Sequence, residues 1–423
     1  MAVSPTWSVY QDVWGAVTPQ DGKEKTVPTL LTVNSVPPEH TLRDGGLKKK
    51  GNLQRGAQGA VYVAHDQTRG AAPGELVAVK RLFKQPNSFG RHGVAETVLR
   101  EATLMHFISQ KMQQKNMDTS ARPVELYRIV EAPYDELCLV MELCDIDLRR
   151  MIVSSGKSAG ERCPRMANLS TIKYILRHVV SMVLFLHQDC GIIHRDIKLS
   201  NILVKQNGDL RLSDFGSCRF TLSAPGEATE AAAQYTPPSH RTTMIYQPLE
   251  ALIGCRTSGT ELDVWSLGVL FAELVLQEHL FKAGSELGVV SAIYKLLGGN
   301  ASWEAGDGAP PPEEGSTGTL PLKFPPSILP AEGLDLLRRM LELDPQKRIT
   351  LAAVLQHPFL TSFTAEEAAE GHALFLEKTK EAIEKANEVV TVSMGKLSFL
   401  AGDDDDDDDD DVELPPGFTV QLN

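Results

Sequence analysis

The chain has no CxxC pair. Its six cysteines, Cys138, Cys144, Cys163, Cys190, Cys218 and Cys255, are scattered over 423 residues. That argues against a zinc ribbon or a disulfide framework and for free thiols in a reducing compartment. Long apolar runs are also missing. The longest, such as Val179–Leu186, fall far short of the roughly 20 residues of a membrane span, and the N-terminus lacks the basic-then-apolar order of a signal peptide. The expectation is an intracellular protein of nucleus or cytoplasm with no membrane partner. Basic clusters are scarce, and the single short one, Lys48-Lys49-Lys50, predicts no direct nucleic-acid binding. Core-forming residues are in ordinary supply, at 42% hydrophobic and 23% charged, which excludes global disorder and a collagen-like repeat.

The net charge of −13 is mostly local, because the unbroken run Asp403–Asp411 carries nine of those charges. Such a block repels itself and stays solvated. At the other end, residues 1–46 hold several prolines and little periodicity, and read as an extension. From Gly51 the texture is β-rich. Ala60–Ala64 and Leu76–Lys80 are short strands around a Gly/Pro-rich turn, a hairpin signal, and Tyr127–Val130 and Leu137–Leu143 read as two more strands. Val94–Ser109 places Val98, Ala102, Met105 and Ile108 on one helical face. Beyond Asp147 the pattern is helical, over Leu169–Gln188, Val264–Gln277 and Leu334–Leu343. The prediction is α+β, with a small β-rich lobe (47–143) before a larger α-helical lobe (147–360). Gly298–Gly318 reads as a loop insertion, and Thr361–Val390 as an amphipathic helix packed on the body of the same chain, within a C-terminal segment 361–423.

The strongest chemical signal is Ile193-His194-Arg195-Asp196-Ile197-Lys198-Leu199-Ser200-Asn201, followed by Ser213-Asp214-Phe215-Gly216. It resembles the catalytic loop and metal-binding motif of protein kinases, and the resemblance implies the two-lobed kinase fold with ATP and Mg2+ as cofactors. A phosphoryl group in transfer spreads negative charge over several oxygens, so the site needs divalent cations and a positioned hydroxyl. The resemblance makes Asp196 the acceptor of the substrate hydroxyl's proton and Asn201 and Asp214 the metal ligands. Lys198 would steady the transferred phosphate, and His194 is expected to pack.

Leu53–Val61 resembles the glycine-rich loop over the ATP phosphates, with Leu53, Gly56, Gly59 and Val61 at its contact positions and Gln54 where the first glycine is usual. Val77-Ala78-Val79-Lys80 matches the kinase lysine strand, and an ion pair of Lys80 with Glu101 on the following helix explains both residues. Leu139–Cys144 fits the link between lobes. Backbone groups of Glu142 and Cys144 would meet the adenine edge, Met141 the back of the pocket, and Asp147 a ribose hydroxyl, with Leu203, Val61 and Ala78 around the base.

Gly93–Glu101 is similar to the G-V-P-S-T-A-I-R-E helix of cyclin-dependent kinases, identical at Gly93, Val94, Thr97, Arg100 and Glu101, and Asp344–Ile349 with His357-Pro358-Phe359 resembles that group's C-terminal region. The resemblance covers residues 47–360. It implies a serine/threonine protein kinase acting on protein substrates, with a cyclin-like regulatory subunit docking on the Gly93–Glu101 helix to turn Glu101 toward Lys80. Arg100, Arg195 and Arg219 match arginines that gather around a phosphothreonine made by an upstream activating kinase. Thr236 is the favoured acceptor among Thr229, Tyr235, Thr236, Ser239, Thr242 and Thr243. Several positions depart from the pattern. Pro248-Leu249-Glu250 replaces Ala-Pro-Glu, although Glu250 keeps its expected partner Arg348. Gln247 replaces the arginine that helps select proline after the acceptor, Leu199 replaces a proline, and Ala57 and Gln58 remove the inhibitory phosphorylation sites. These departures motivate the alternative of an ATP-binding pseudokinase scaffold.

Overall fold

A computed structural model of the chain describes residues 46–56, 59–70, 74–82, 96–132, 136–153, 168–221, 243–254, 259–298 and 318–398. Outside them lie residues 1–45, Ala57 and Gln58, Gly93–Ala95, Cys163, the acceptor candidates from Thr229 to Thr242, Cys255, most of the Gly298–Gly318 insertion and the Asp403–Asp411 run.

Alternation of β-branched residues builds the first sheet. Strands β1 (Leu47–Gly56), β2 (Gly59–Asp66), β3 (Glu75–Leu82), β5 (Leu126–Ala132) and β6 (Glu136–Met141) pair antiparallel in the order β1-β2-β3-β6-β5. Successive residues face opposite sides, so Ala64, Val77, Val79, Cys138 and Val140 gather with Leu47 into a small outer core. The register Val61↔Lys80 and Ala78↔Met141 puts these four residues on the other side. Two irregularities in β1, at Lys49/Gly51 and Asn52/Gln54, make Lys50 and Leu53 extra residues opposite β2, and such bulges twist an edge strand away from further pairing. Helix α1 (Glu96–Lys115) runs past the expected Ser109, because Met112 continues the buried stripe of Met105 and Ile108. Strand β6 ends at Met141, two residues short of the expected Leu143, where the chain crosses to the second lobe.

That lobe is built around α5 (Glu261–Leu276), whose residues from Leu262 to Val275 are all buried, Trp265 fully so. A helix buried on every side belongs at the centre of a core. Against it packs α3 (Leu169–Gln188), started by Asn168, whose side chain accepts from the N–H groups of Ser170 and Thr171. By length and hydropathy α3 would suit a membrane span, but most of it is buried within the protein core. The remaining helices are α2 (Leu148–Val153), α4 (Leu249–Leu252), α6 (Glu286–Leu297), α7 (Leu320–Lys323), α8 (Ala331–Met340), α9 (Leu351–Leu355), α10 (Pro358–Thr361) and α11 (Ala365–Ser398). As the sequence suggested, α11 packs on the body of the chain, along α3.

Two small sheets escaped sequence reading, since strands of two or three residues carry no periodicity. One has the order β4 (Ala121–Pro123), β10 (Leu210–Leu212), β9 (Ile202–Val204), β7 (Ile146–Asp147); the other pairs β8 (Ile192–Ile193) with β11 (Arg219–Phe220). The four described cysteines, Cys138, Cys144, Cys190 and Cys218, are buried and form no disulfide.

The expected clasp is present. Glu250 and Arg348 have fully buried side chains, with Arg348 Nη1 at 2.7 Å from Glu250 Oε1 and Nη2 at 3.2 Å from Oε2. Arg348 also donates to the carbonyls of Glu342 and Glu261. Leu249, standing where proline is usual, is buried in the core. Removing one partner of a buried pair strands the other charge, at a cost of about 3–5 kcal/mol. Arg348→Met is therefore expected to lower stability by about that amount, read from urea unfolding. A loss well below 1 kcal/mol would show that the pair does not hold this region.

Candidate active site

The loop between β8 and β9 hangs from one carboxylate. Asp263, in the first turn of α5, is fully buried and accepts from the backbone N–H of His194 and of Arg195, each at 2.8 Å. It also pairs with His187 Nε2 at 2.8 Å. These bonds hold Arg195 at φ 69°, a left-handed conformation costly for a residue with a Cβ. Burial alone would raise the Asp263 carboxyl, but His187, His194 and the backbone donor outweigh it and hold it below the ordinary carboxylate value. Sequence reading missed Asp263. Its signal was a carboxylate set among apolar neighbours, flanked by Leu262, Val264 and Trp265.

His194 packs, as expected. It is fully buried, its ring meets Phe215 edge-on with centroids 5.6 Å apart, and Nε2 donates to the Ser213 carbonyl at 3.1 Å. Two residues on, Asp196 sits in a ring of donors. Its Oδ2 accepts from Lys198 Nζ at 2.7 Å and Asn201 Nδ2 at 3.2 Å, and its Oδ1 from the Thr243 N–H at 3.3 Å. Lys198 Nζ donates as well to Thr243 Oγ1 at 2.9 Å. Thr243, grouped in the sequence with the phosphorylation candidates, is thus engaged with Asp196 and Lys198.

Asn201 ends the short 3₁₀ turn Leu199–Asn201, and Asp214 follows β10. The Ser213 N–H donates to the Asn201 carbonyl at 2.9 Å, which brings both residues to the same end of the β9–β10 hairpin. Asn201 Nδ2 is engaged by the Asp196 carbonyl at 2.8 Å, so its Oδ1 is the oxygen available to a cation. Asp214 has φ 64°. Lys80 Nζ lies 2.6 Å from Glu101 Oε1 and 3.5 Å from Asp214 Oδ1, joining the sheet, α1 and the hairpin at one point. Burial works against the Lys80 charge, but Glu101 and Asp214 more than reverse that and raise its pKa above the ordinary lysine value. For Asp214, burial pushes upward while Lys80 and Lys198 hold the carboxyl low. An amide oxygen and an ionised carboxylate suit Mg2+, which binds through one or two protein oxygens together with substrate phosphates and water. Among the described residues no group of three or more His, Cys, Asp or Glu offers a cage made by protein alone.

The residues expected around the base are brought into register. Ala78 lies opposite Met141 and Leu203 opposite Asp147, while Val61 and Leu203 remain partly exposed. In the glycine-rich segment, Gly56 and Gly59 face each other where β1 turns into β2, beyond the bulge at Leu53. Burial raises the Cys144 thiol and the Asp147 carboxyl, the latter opposed by the Arg150 N–H at 2.9 Å.

Sequence reading gave Glu142 a backbone role and missed its side chain. The carboxylate is buried and accepts from Arg211 Nε at 2.8 Å and Lys205 Nζ at 3.0 Å, with Arg122 Nη2 3.6 Å away. Arg211 and Lys205 gave no motif signal, since a lysine or arginine in a short hairpin reads as solvated.

Because Asp263 has a lowered pKa in the folded state, its contribution to stability is present above the unfolded value of about 4 and is lost as pH falls through the folded one. Asp263→Asn is expected to melt well below wild type at pH 7. The gap should narrow below about pH 4. A gap that stayed constant between pH 7 and pH 3 would contradict this reading.

Residues 47–360 match the family model of the protein kinase domain. The match spans well over half of the sequence, and this chain belongs to the protein kinase family.

Proposed function

We propose that the chain is an ATP- and Mg2+-dependent serine/threonine protein kinase of the cyclin-dependent-kinase-like group. The observation that carries the proposal is the array around Asp196, in which Lys198, Asn201 and Thr243 all donate to one buried carboxylate while Lys80 pairs with Glu101. An acceptor side chain hydroxyl approaches Asp196, which takes its proton. The oxygen then bonds to the terminal phosphorus of ATP and the bond to the ADP oxygen breaks. Asn201 and Asp214 would hold Mg2+, which would supply neutralising charge to the phosphate oxygens. Lys80 and Lys198 add fixed positive charge at the phosphates, and Asp147 offers an oxygen to the ribose.

Lys198 and Thr243 closing over Asp196 support a serine or threonine acceptor. The Arg219↔Ile193 register, which sets Arg219 two residues from Arg195, supports control by a phosphate placed on the activation segment by an upstream kinase. The Lys80–Glu101 pair is closed in the single chain, so a cyclin-like subunit would hold α1 in place instead of first bringing Glu101 inward. Nucleus or cytoplasm is the compartment consistent with this role.

The test is magnesium-dependent transfer from γ-labelled ATP to a generic basic protein, followed by phosphoamino-acid analysis. Wild type is expected to label serine or threonine and Asp196→Asn to lose at least about 100-fold in rate. Equal silence from both, with ATP still bound, would replace this reading by the scaffold alternative.

A further inference from the structure

Helix α11 begins at Ala365, beyond the residues 47–360 that match the kinase family model. It is nonetheless built into the fold. Phe375, Thr379 and Ala382 are fully buried, and Lys378 nearly so. The backbones of α11 and α3 approach so closely that a Cβ on Gly371 would lie 2.3 Å from the Ser170 carbonyl oxygen, which only glycine permits. The His372 ring stacks on Tyr174 with centroids 5.1 Å apart, and Thr379 Oγ1 lies 4.0 Å from Met151 Sδ on α2.

The other neighbours of α11 belong to the nucleotide side. The helix packs against α2 and β7, the strand that carries Asp147. It also covers the turn of the β9–β10 hairpin, where a Cβ on Gly208 would lie 3.2 Å from His372 Nε2 and 3.6 Å from Leu376 Cδ1. That hairpin has Asn201 just before it and Asp214 just after, and Lys205 and Arg211 within it grip Glu142. The Asp145 N–H donates to the Val204 carbonyl at 3.0 Å and the Gln206 N–H to Asp145 Oδ2 at 2.6 Å, fastening the interlobe link to the same hairpin.

We infer that α11 is a positioning element for nucleotide binding. Through His372 and Leu376 it fixes the hairpin turn, the turn fixes Lys205 and Arg211, and these set Glu142 and the strand bearing Asp147. His372 and Gly371 are positioning residues and touch no substrate. The inference rests on the proposed kinase reading for the identity of the nucleotide, but its primary readout is affinity, which does not require turnover.

The experiment uses the full chain with His372→Ala, Gly371→Val and, as a control on the exposed face of α11, Lys380→Ala. Dissociation constants for a fluorescent ADP analogue with Mg2+ are measured beside KM for ATP, kcat and the melting temperature. His372→Ala, which leaves the Phe375 core intact, is expected to raise both the dissociation constant and KM by about threefold to tenfold, in the range of coupling between packed sites. Its kcat should stay within about twofold, as for a loss of uniform binding. Gly371→Val should do the same or more, and Lys380→Ala nothing. In a Glu142→Gln background the His372→Ala effect should shrink, because both act through one network. A fall in melting temperature with unchanged nucleotide affinity, or full additivity with Glu142→Gln, would overturn the inference and leave α11 as a stabilising strap. A wild-type chain that binds nucleotide but transfers no phosphate would defeat the kinase reading while leaving the affinity test intact.

Discussion

A buried carboxylate holds the catalytic loop in a shape it would not adopt alone. Asp263 receives two adjacent backbone N–H groups, and its full burial keeps water from competing for them. The left-handed turn at Arg195 then aims Asp196 back toward Lys198, Asn201 and Thr243. Because α5 is buried from Leu262 to Val275, the anchor is fixed to the centre of the core. Strain in the loop is offset by packing far from the chemistry.

The second constraint crosses between lobes. Lys80 comes from the sheet, Glu101 from α1 and Asp214 from the end of the hairpin, and their three charges meet within hydrogen-bonding distances. A lysine between two carboxylates keeps its proton, so positive charge is preorganised where phosphate oxygens would arrive and little reorganisation is needed at the moment of transfer. Glu142 does the complementary work, tying the link between lobes to the hairpin that bears the metal-ligand candidates. The site is therefore set by two polar networks that share the β9–β10 hairpin.

Much of this was legible in the sequence, for a physical reason. The candidate phosphate- and metal-binding residues sit in short contiguous loops, so Asp196, Lys198, Asn201 and Asp214 could be read as a string, and Lys80 from its β-branched strand. The helical faces of α1, α3 and α11 followed from periodicity. What holds those residues was harder to see. Asp263 lies 67 positions beyond Asp196 and Glu142 lies 69 before Arg211, and such partners meet only through topology. Strands β7, β8 and β11 are two residues long, too short for alternation to appear. The placement of α11 on the hairpin turn depends on Gly208 and Gly371, where the informative feature is a missing Cβ.

If the loop's shape is what makes Asp196 effective, loosening its anchor should harm transfer more than nucleotide binding. The most direct measurement is single-turnover phosphate transfer from ATP by wild type and Asp263→Asn, with nucleotide affinity measured in the same preparations at a temperature where both are folded. The account predicts nearly unchanged affinity and a transfer rate lower by about 100-fold, the usual penalty for ångström-scale misplacement of a catalytic group. Equal transfer rates in the two proteins would contradict it.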